Sequence, residues 1–126
     1  MIAIGTQNKL SLTVTLADTA VTFKSGSLPV LATPRLIALC EEAACQLIES
    51  TLENQQTTVG TLINVQHLAA SPIGQTVTVT CTLIAHKDRK FQFAIEAIDA
   101  QQVVAQGYHE RVLVDADKFM KKISDK

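Results

Sequence analysis

The chain has 126 residues, room for one domain with a real core and too few for two ordinary ones, so residues 1–126 are read as a single domain. Hydrophobic residues make up 47%, charged residues 18% and the net charge is −1, so nothing favours nucleic acid or an anionic membrane surface as a partner. No stretch approaches a membrane span, and Met1–Ser11 lacks the basic start and long apolar run of a signal peptide. Cys40, Cys45 and Cys81 are odd in number, sit inside apolar periodic segments and show no CxxC spacing. They read as buried thiols of a reducing compartment, which makes the cytoplasm the expected location and a metal site unexpected.

Leu10, Leu12, Val14 and Leu16 alternate with Ser11, Thr13 and Thr15, which predicts a first strand with one buried face. Ala17-Asp18-Thr19 reads as a turn, Val21–Phe23 as a short extension, and Lys24-Ser25-Gly26-Ser27 as a loop. Thr33-Pro34 then starts a helix, with Thr33 as N-cap and Pro34 at the first helical position, where a missing N–H costs nothing. This helix is expected to run from about Pro34 to Leu52 and end at Asn54. Four strand-like runs follow, Thr57–Leu68, Thr76–Ala85, Phe91–Ile98 and Val103–Val114, with a charged turn at Lys87–Lys90 and another at Asp99–Gln101. Asp115–Lys122 reads as a short surface helix anchored by Phe119.

The long helix carries an anomaly. On a helical wheel Arg35, Glu42, Gln46 and Glu49 form a wet face, and Ile37, Cys40, Ala44, Leu47 and Ile48 form an apolar stripe. Glu41 lies at the edge of the apolar stripe, where a carboxylate must be paired, be neutral or line a cavity. The short turns between the later strands make neighbours antiparallel, so the class is α+β: a curved antiparallel sheet of about five strands wrapped round one long central helix. That element order resembles the hotdog fold. Such a sheet leaves a strand edge and part of the helix uncovered, so a homodimer is expected, with a dimer of dimers also open.

Three residues suggest chemistry. His67 shares a strand face with Thr61, Ile63 and Val65, which puts an imidazole on the face assigned to the core, while Leu62, Asn64 and Gln66 point the other way. Each of Thr33, Glu41 and His67 has an ordinary reading alone: an N-cap, a paired helix acid, a satisfied core histidine. As a set they are the parts of an acyl-transfer site, in which a hydroxyl or water attacks a carbonyl, a base takes its proton and an acid orients the base. The helix N-terminus adds free N–H groups for an oxyanion. Eight helical residues rise about 12 Å, so Thr33 and Glu41 of one helix cannot touch; His67, a substrate or a dimer mate must bridge them.

The stretches VLATPRLIALCEEAA, TTVGTLINVQHLAASPIGQTVTVTCTL and QGYHERVLVDADKF resemble the fluoroacetyl-CoA thioesterase family of hotdog proteins over most of Val30 to Phe119. The family's catalytic Thr, Glu and His are spaced eight and then twenty-six residues apart, as are Thr33, Glu41 and His67. A family Gly near the bound acyl group matches Gly60, and a family H-E-R run matches His109-Glu110-Arg111. The resemblance implies hydrolysis of an acyl-CoA thioester without metal or cofactor, with Thr33, Glu41 and His67 catalytic. It implies Gly60 and Arg111 on the substrate. His109 and Arg111 invite a reading as CoA-phosphate or structural contacts, but an ordinary strand, with Glu110 facing away from its neighbours, is the stronger reading. Whether Thr33 attacks or positions water stays open, as does a role for Glu41 as base or nucleophile.

The resemblance breaks before the helix. Where the fluoroacetyl-specific enzyme closes its pocket with phenylalanines, the matching positions are Lys24 and Ser27, so selectivity for fluoroacetyl groups is not expected. With four Phe, one Tyr and no Trp, a small or aliphatic acyl group fits better than an aryl one. The Lys87, Arg89 and Lys90 hairpin reads as a solvated tip, and Cys40 and Cys45 as packing residues. The alternative function is a non-catalytic hotdog module that binds an acyl-CoA or a small acid.

Overall fold

In a computed structural model describing residues 2–125, the chain forms β1 (Gln7–Thr13), a short helix α1 (Ala20–Phe23), the long helix α2 (Thr33–Ile48), β2 (Gln56–His67), β3 (Thr76–Lys87), β4 (Lys90–Ile98), β5 (Val103–Asp115) and α3 (Ala116–Ser124). The strands build one antiparallel sheet in the order β1-β3-β4-β5-β2. The period-two patterns decide which face is buried. Val77, Val79, Cys81 and Leu83 of β3 and Phe91, Phe93, Ile95 and Ala97 of β4 point inward, while the intervening threonines of β3 stay part-exposed. Leu36, Leu39, Cys40, Ala43, Ala44, Leu47 and Ile48 of α2 pack onto that face in one continuous core. Burying each large aliphatic side chain stabilises the fold by roughly 1.5–3 kcal/mol. The three thiols are free, and burial pushes those of Cys40 and Cys81 up to about 12, so they remain protonated packing groups. The expected architecture is therefore the observed one.

Several local expectations are corrected. The first strand stops at Thr13, because Leu16 opens a 3-10 turn and is 62% exposed. Val21–Phe23 belong to helix α1 and not to a strand. The N-cap of α2 is Ala32, with Thr33 as the first helical residue and Pro34 one place later than expected. The helix ends at Ile48, where the chain tightens into a 3-10 turn over Glu49–Thr51 and the Thr51 hydroxyl donates to the Ile48 carbonyl at 2.7 Å. Ile37, assigned to the buried stripe, is only half-buried; Leu36 and Leu39 take its place.

β2 lies at one edge of the sheet and runs against β5. Its register shifts between Gly60 and Leu62: Gly60 faces Arg111, and Leu62 faces Glu110. Thr61 is thus the extra residue of a β-bulge, and strict alternation along β2 breaks there. Leu62 and Ile63 on this edge strand are 43% and 38% exposed. No helix among the described residues is long and apolar enough to cross a membrane.

Candidate active site

The residues before α2 are stitched down by backbone bonds on both sides. Ala20 N–H donates to Val30 O at 2.8 Å, Leu31 N–H to Ser71 O at 2.8 Å and Ala32 N–H to Asp18 O at 2.9 Å. The Asp18 carboxylate adds a second lock. It accepts from the Thr15 N–H and hydroxyl, both at 2.8 Å, and from Arg35 Nε at 3.0 Å. Burial opposes its charge, but the Thr15 bonds and the Arg35 guanidinium outweigh that and hold the carboxyl below its usual range. Arg35, assigned to the wet face, is therefore part of the device that fixes the start of α2.

Thr33 is delivered to the mouth of a cleft of about 260 Å³ lined by Ala20, Val30, Leu31, His67 and Ala69 among others. Its hydroxyl oxygen lies 2.8 Å from His67 Nδ1. His67 Nε2 is enclosed by the chain and has no hydrogen-bond partner among the described residues. Burial lowers the basicity of His67, with the backbone at Ala69 working in the opposite direction, so the ring is a neutral acceptor for the hydroxyl proton near pH 7. Ala32 offers no capping side chain, and the Thr33 and Arg35 N–H groups have no partner among the described residues. These uncapped donors, beside a hydroxyl held by an imidazole, are the parts needed to attack a carbonyl and hold its oxyanion.

Glu41 sits in a second cleft of about 180 Å³, with Gly60, Thr61, Leu62, Ile63 and His109. Its carboxylate is 3.5 Å from Arg111 Nη1, and its side chain is 42% exposed. It is thus paired and lines a cavity, two of the three outcomes open to an acid at that helix edge. Arg111 is buried and turned inward. Its Nε donates to Thr58 Oγ1 at 2.9 Å and its Nη2 to Thr58 O at 3.0 Å. Gly60 lies against this group, since a Cβ there would stand 2.8 Å from Glu41 Oε2 and 3.3 Å from Arg111 Nη1.

The sequence-predicted residues thus fall into two groups in one chain: Thr33 with His67, and Glu41 with Gly60 and Arg111. The odd separation of Gly60 and His67 would put them on opposite faces of a regular strand; the bulge at Thr61 returns both to the concave face. Among the described residues no three His, Cys, Asp or Glu side chains cluster to hold a metal ion.

A family model described as fluoroacetyl-CoA-specific thioesterase matches residues 14–117. The chain belongs to this family. The fluoroacetyl-CoA thioesterase of Streptantibioticus cattleyicolor is 35% identical over 97 residues, which are 77% of this chain and 70% of that protein. The solved fluoroacetyl-CoA thioesterase FlK is similar with a TM-score of 0.94 and 30% identity, over 100% of this chain and 98% of the other. A variant of FlK in complex with acetyl-CoA gives 0.93 at 28% identity over 98% of both chains. A hot-dog-like protein from Thermanaerovibrio acidaminovorans gives 0.89 at 27%, over 97% of this chain and 90% of the other. The hotdog fold is common to this family and the present chain.

One member of the site escapes the sequence. Thr58 anchors Arg111 but looks like one more strand threonine. His109 is marked by the H-E-R run, and its place beside Arg111 follows from their being two apart on one strand. Glu110, between them, points to the outer face, where Tyr108, Lys90 and Gln92 bind it. Lys24 and Ser27, at the lid positions, are exposed, and Lys24 closes α1 in the left-handed conformation.

Proposed function

We propose that the protein is an acyl-CoA thioesterase whose site is shared between two copies, with Thr33 and His67 from one and Glu41, Gly60 and Arg111 from the other. The observation that carries the reading is the 2.8 Å contact of Thr33 Oγ1 with His67 Nδ1 at the uncapped start of α2. Family membership supports the same chemistry.

The distances argue for two copies. Thr33 and Glu41 are about 12 Å apart along α2, and Gly60 and His67 about 20 Å apart along β2. β2 is an edge strand with exposed apolar side chains, open to a second β2. An antiparallel pairing centred on Asn64, with Thr61 as the extra residue, sets Gly60 of one copy opposite His67 of the next. The homodimer, with tetramers as pairs of dimers, belongs to this reading. So does a cytoplasmic setting, which the three unpaired thiols support.

The reaction then runs in two steps. Thr33 Oγ attacks the thioester carbonyl carbon while His67 Nδ1 takes its proton, and the oxyanion accepts from the Thr33 and Arg35 N–H groups. The C–S bond breaks, and CoA leaves as the thiol with the proton from His67. Water, aligned by Glu41, attacks the Thr33 ester. His67 takes the water proton and returns it to Thr33 Oγ as the acid departs. Glu41 acts on the water and not on His67, because His67 Nε2 is enclosed. These steps call on no metal or cofactor.

The cleft beside Thr33 is walled by Ala20, Val30, Leu31 and Ala69, which suits a short aliphatic acyl group. Lys24 and Ser27 in place of aromatic lid residues argue against fluoroacetyl selectivity. Free-thiol release from a panel of short-chain, aryl and fluoroacetyl CoA thioesters tests this. Turnover of short aliphatic thioesters, with fluoroacetyl-CoA not favoured over acetyl-CoA, is expected. Hydrolysis of none, with a raised Tm on adding acyl-CoA, would replace the enzyme by the non-catalytic binding module that the altered lid keeps in view.

A further inference from the structure

We propose that His109 is a positioning residue: a neutral imidazole protonated at Nδ1 that ties the β2 bulge to Arg111 and so holds the guanidinium against Glu41. The proposal rests on the reading of Glu41 as a catalytic carboxylate. Its geometry is set by partners that each allow one role. His109 Nδ1 is 2.8 Å from the Leu62 carbonyl, which can only accept, so Nδ1 carries the hydrogen. His109 Nε2 is 3.2 Å from Arg111 Nη1, which can only donate, so Nε2 keeps its lone pair. The ring is 1% exposed and stacks on Phe93 with centroids 5.9 Å apart, which fixes its plane.

The chain of contacts runs from backbone to carboxylate. Leu62, the first residue after the bulge, accepts from His109; His109 accepts from Arg111; Arg111 meets Glu41 at 3.5 Å and is held from its other side by Thr58. Without an acceptor at Nε2, the Arg111 end nearest Glu41 has no neutral partner to hold it. The groups facing the ring are Glu41 from α2, Arg111 from its own strand, Phe93 from β4 and the backbone of β2; Glu110 lies on the opposite face. Burial, and then the Arg111 charge, lower the ring's basicity, with Leu62 and Glu41 opposing. Protonation would aim an N–H at the guanidinium and part the two, so the neutral ring is the working form.

Nitrogen NMR of the imidazole tests the assignment without reference to activity. A proton on Nδ1 and a bare Nε2 at neutral pH are expected; a proton on Nε2, or an imidazolium, would overturn the proposal. Two substitutions test the consequence. His109→Leu removes the acceptor and should lower kcat by about tenfold to a hundredfold, with KM little changed. His109→Gln offers an amide oxygen near the position of Nε2 and should recover most of kcat. Equal kcat losses in the two variants, or a loss confined to KM, would overturn it. Glu41→Gln run in parallel separates the two ideas. Wild-type kcat in Glu41→Gln would remove the catalytic reading of Glu41 and this role with it. Wild-type kcat in His109→Leu beside an impaired Glu41→Gln would remove the His109 proposal alone.

Discussion

The hydroxyl oxygen of Thr33 stands 2.8 Å from Nδ1 of His67, although 34 residues separate them in the chain. The contact is made by two elements with independent reasons for their places. The start of α2 is pinned by Asp18, Ser71 and the Val30 carbonyl, and His67 ends a strand whose partner, β5, runs through the core. Because the threonine is the first helical residue and not the cap, its hydroxyl is spared from bonding its own helix.

This relationship predicts that both side chains matter to rate more than to fold. Thr33 is exposed and His67 only half-buried, so Thr33→Ala and His67→Ala should each melt within a few degrees of the parent. Steady-state assays should show kcat lowered by about 10²–10⁴ for His67→Ala, and no further loss of comparable size when both are changed, because the two act as a unit.

The pH profile follows from the direction in which His67 is shifted. Its folded pKa lies below the ordinary 6.5, so kcat/KM should be level through neutrality and fall only on the acid side of 6.5. Stability follows the same sign. His67 and His109 both bind a proton less readily folded than unfolded, so their full contribution is present above 6.5 and declines as pH falls from there. Asp18 has a folded pKa below 3.8, and its contribution is present above 3.8 and lost as pH drops through the folded value. Urea unfolding across this range should show loss beginning below 6.5 and deepening below 3.8.

Two glycines should respond differently to alanine. At Gly60 the new Cβ meets the end of the Glu41 side chain at 2.8 Å, and a partly exposed carboxylate can swing away. Gly60→Ala should keep most of the stability and lose activity, since Glu41 is what moves. At Gly107 the new Cβ would lie 2.1 Å from the Asn64 carbonyl oxygen and 2.6 Å from Val65 Cα, both backbone of β2. Gly107→Ala should destabilise by about 2–4 kcal/mol, as overpacking against atoms that cannot turn aside does. Thermal melts beside acyl-CoA assays separate the two cases.

Asp18 couples stability to the site. Asp18→Ala leaves Thr15 and Arg35 without their acceptor and should cost about 1–3 kcal/mol. Loss of the lock before α2 should also lower kcat, and a variant with intact kcat would show that the backbone bonds of Val30–Ala32 suffice.

Much of this was legible in the sequence, for physical reasons. The threonine–aliphatic alternation of β3 and the Phe91, Phe93, Ile95, Ala97 face of β4 specify which side is buried, whatever their partners. Glu41 at the edge of the apolar stripe has to be paired, neutral or in a cavity, and the structure gives the first and the last. Other features depend on contacts between distant segments. The bulge at Thr61 arises from the pairing of β2 with β5, so local alternation does not show that Gly60 and His67 share a face. Arg35 looks solvent-facing until Asp18 of the preceding segment reaches it. Thr58 and His109 acquire their roles only through Arg111.

The most direct test of a site shared between copies is subunit mixing. Thr33→Ala and Glu41→Gln chains are each expected to be nearly inactive alone. Co-expressed at equal levels, a shared site restores one intact Thr33–His67 and Glu41 set in each mixed dimer, and so roughly a quarter of wild-type activity per chain. Recovery near that level is the predicted result. Mixed dimers with no activity above that of the separate variants would contradict the account.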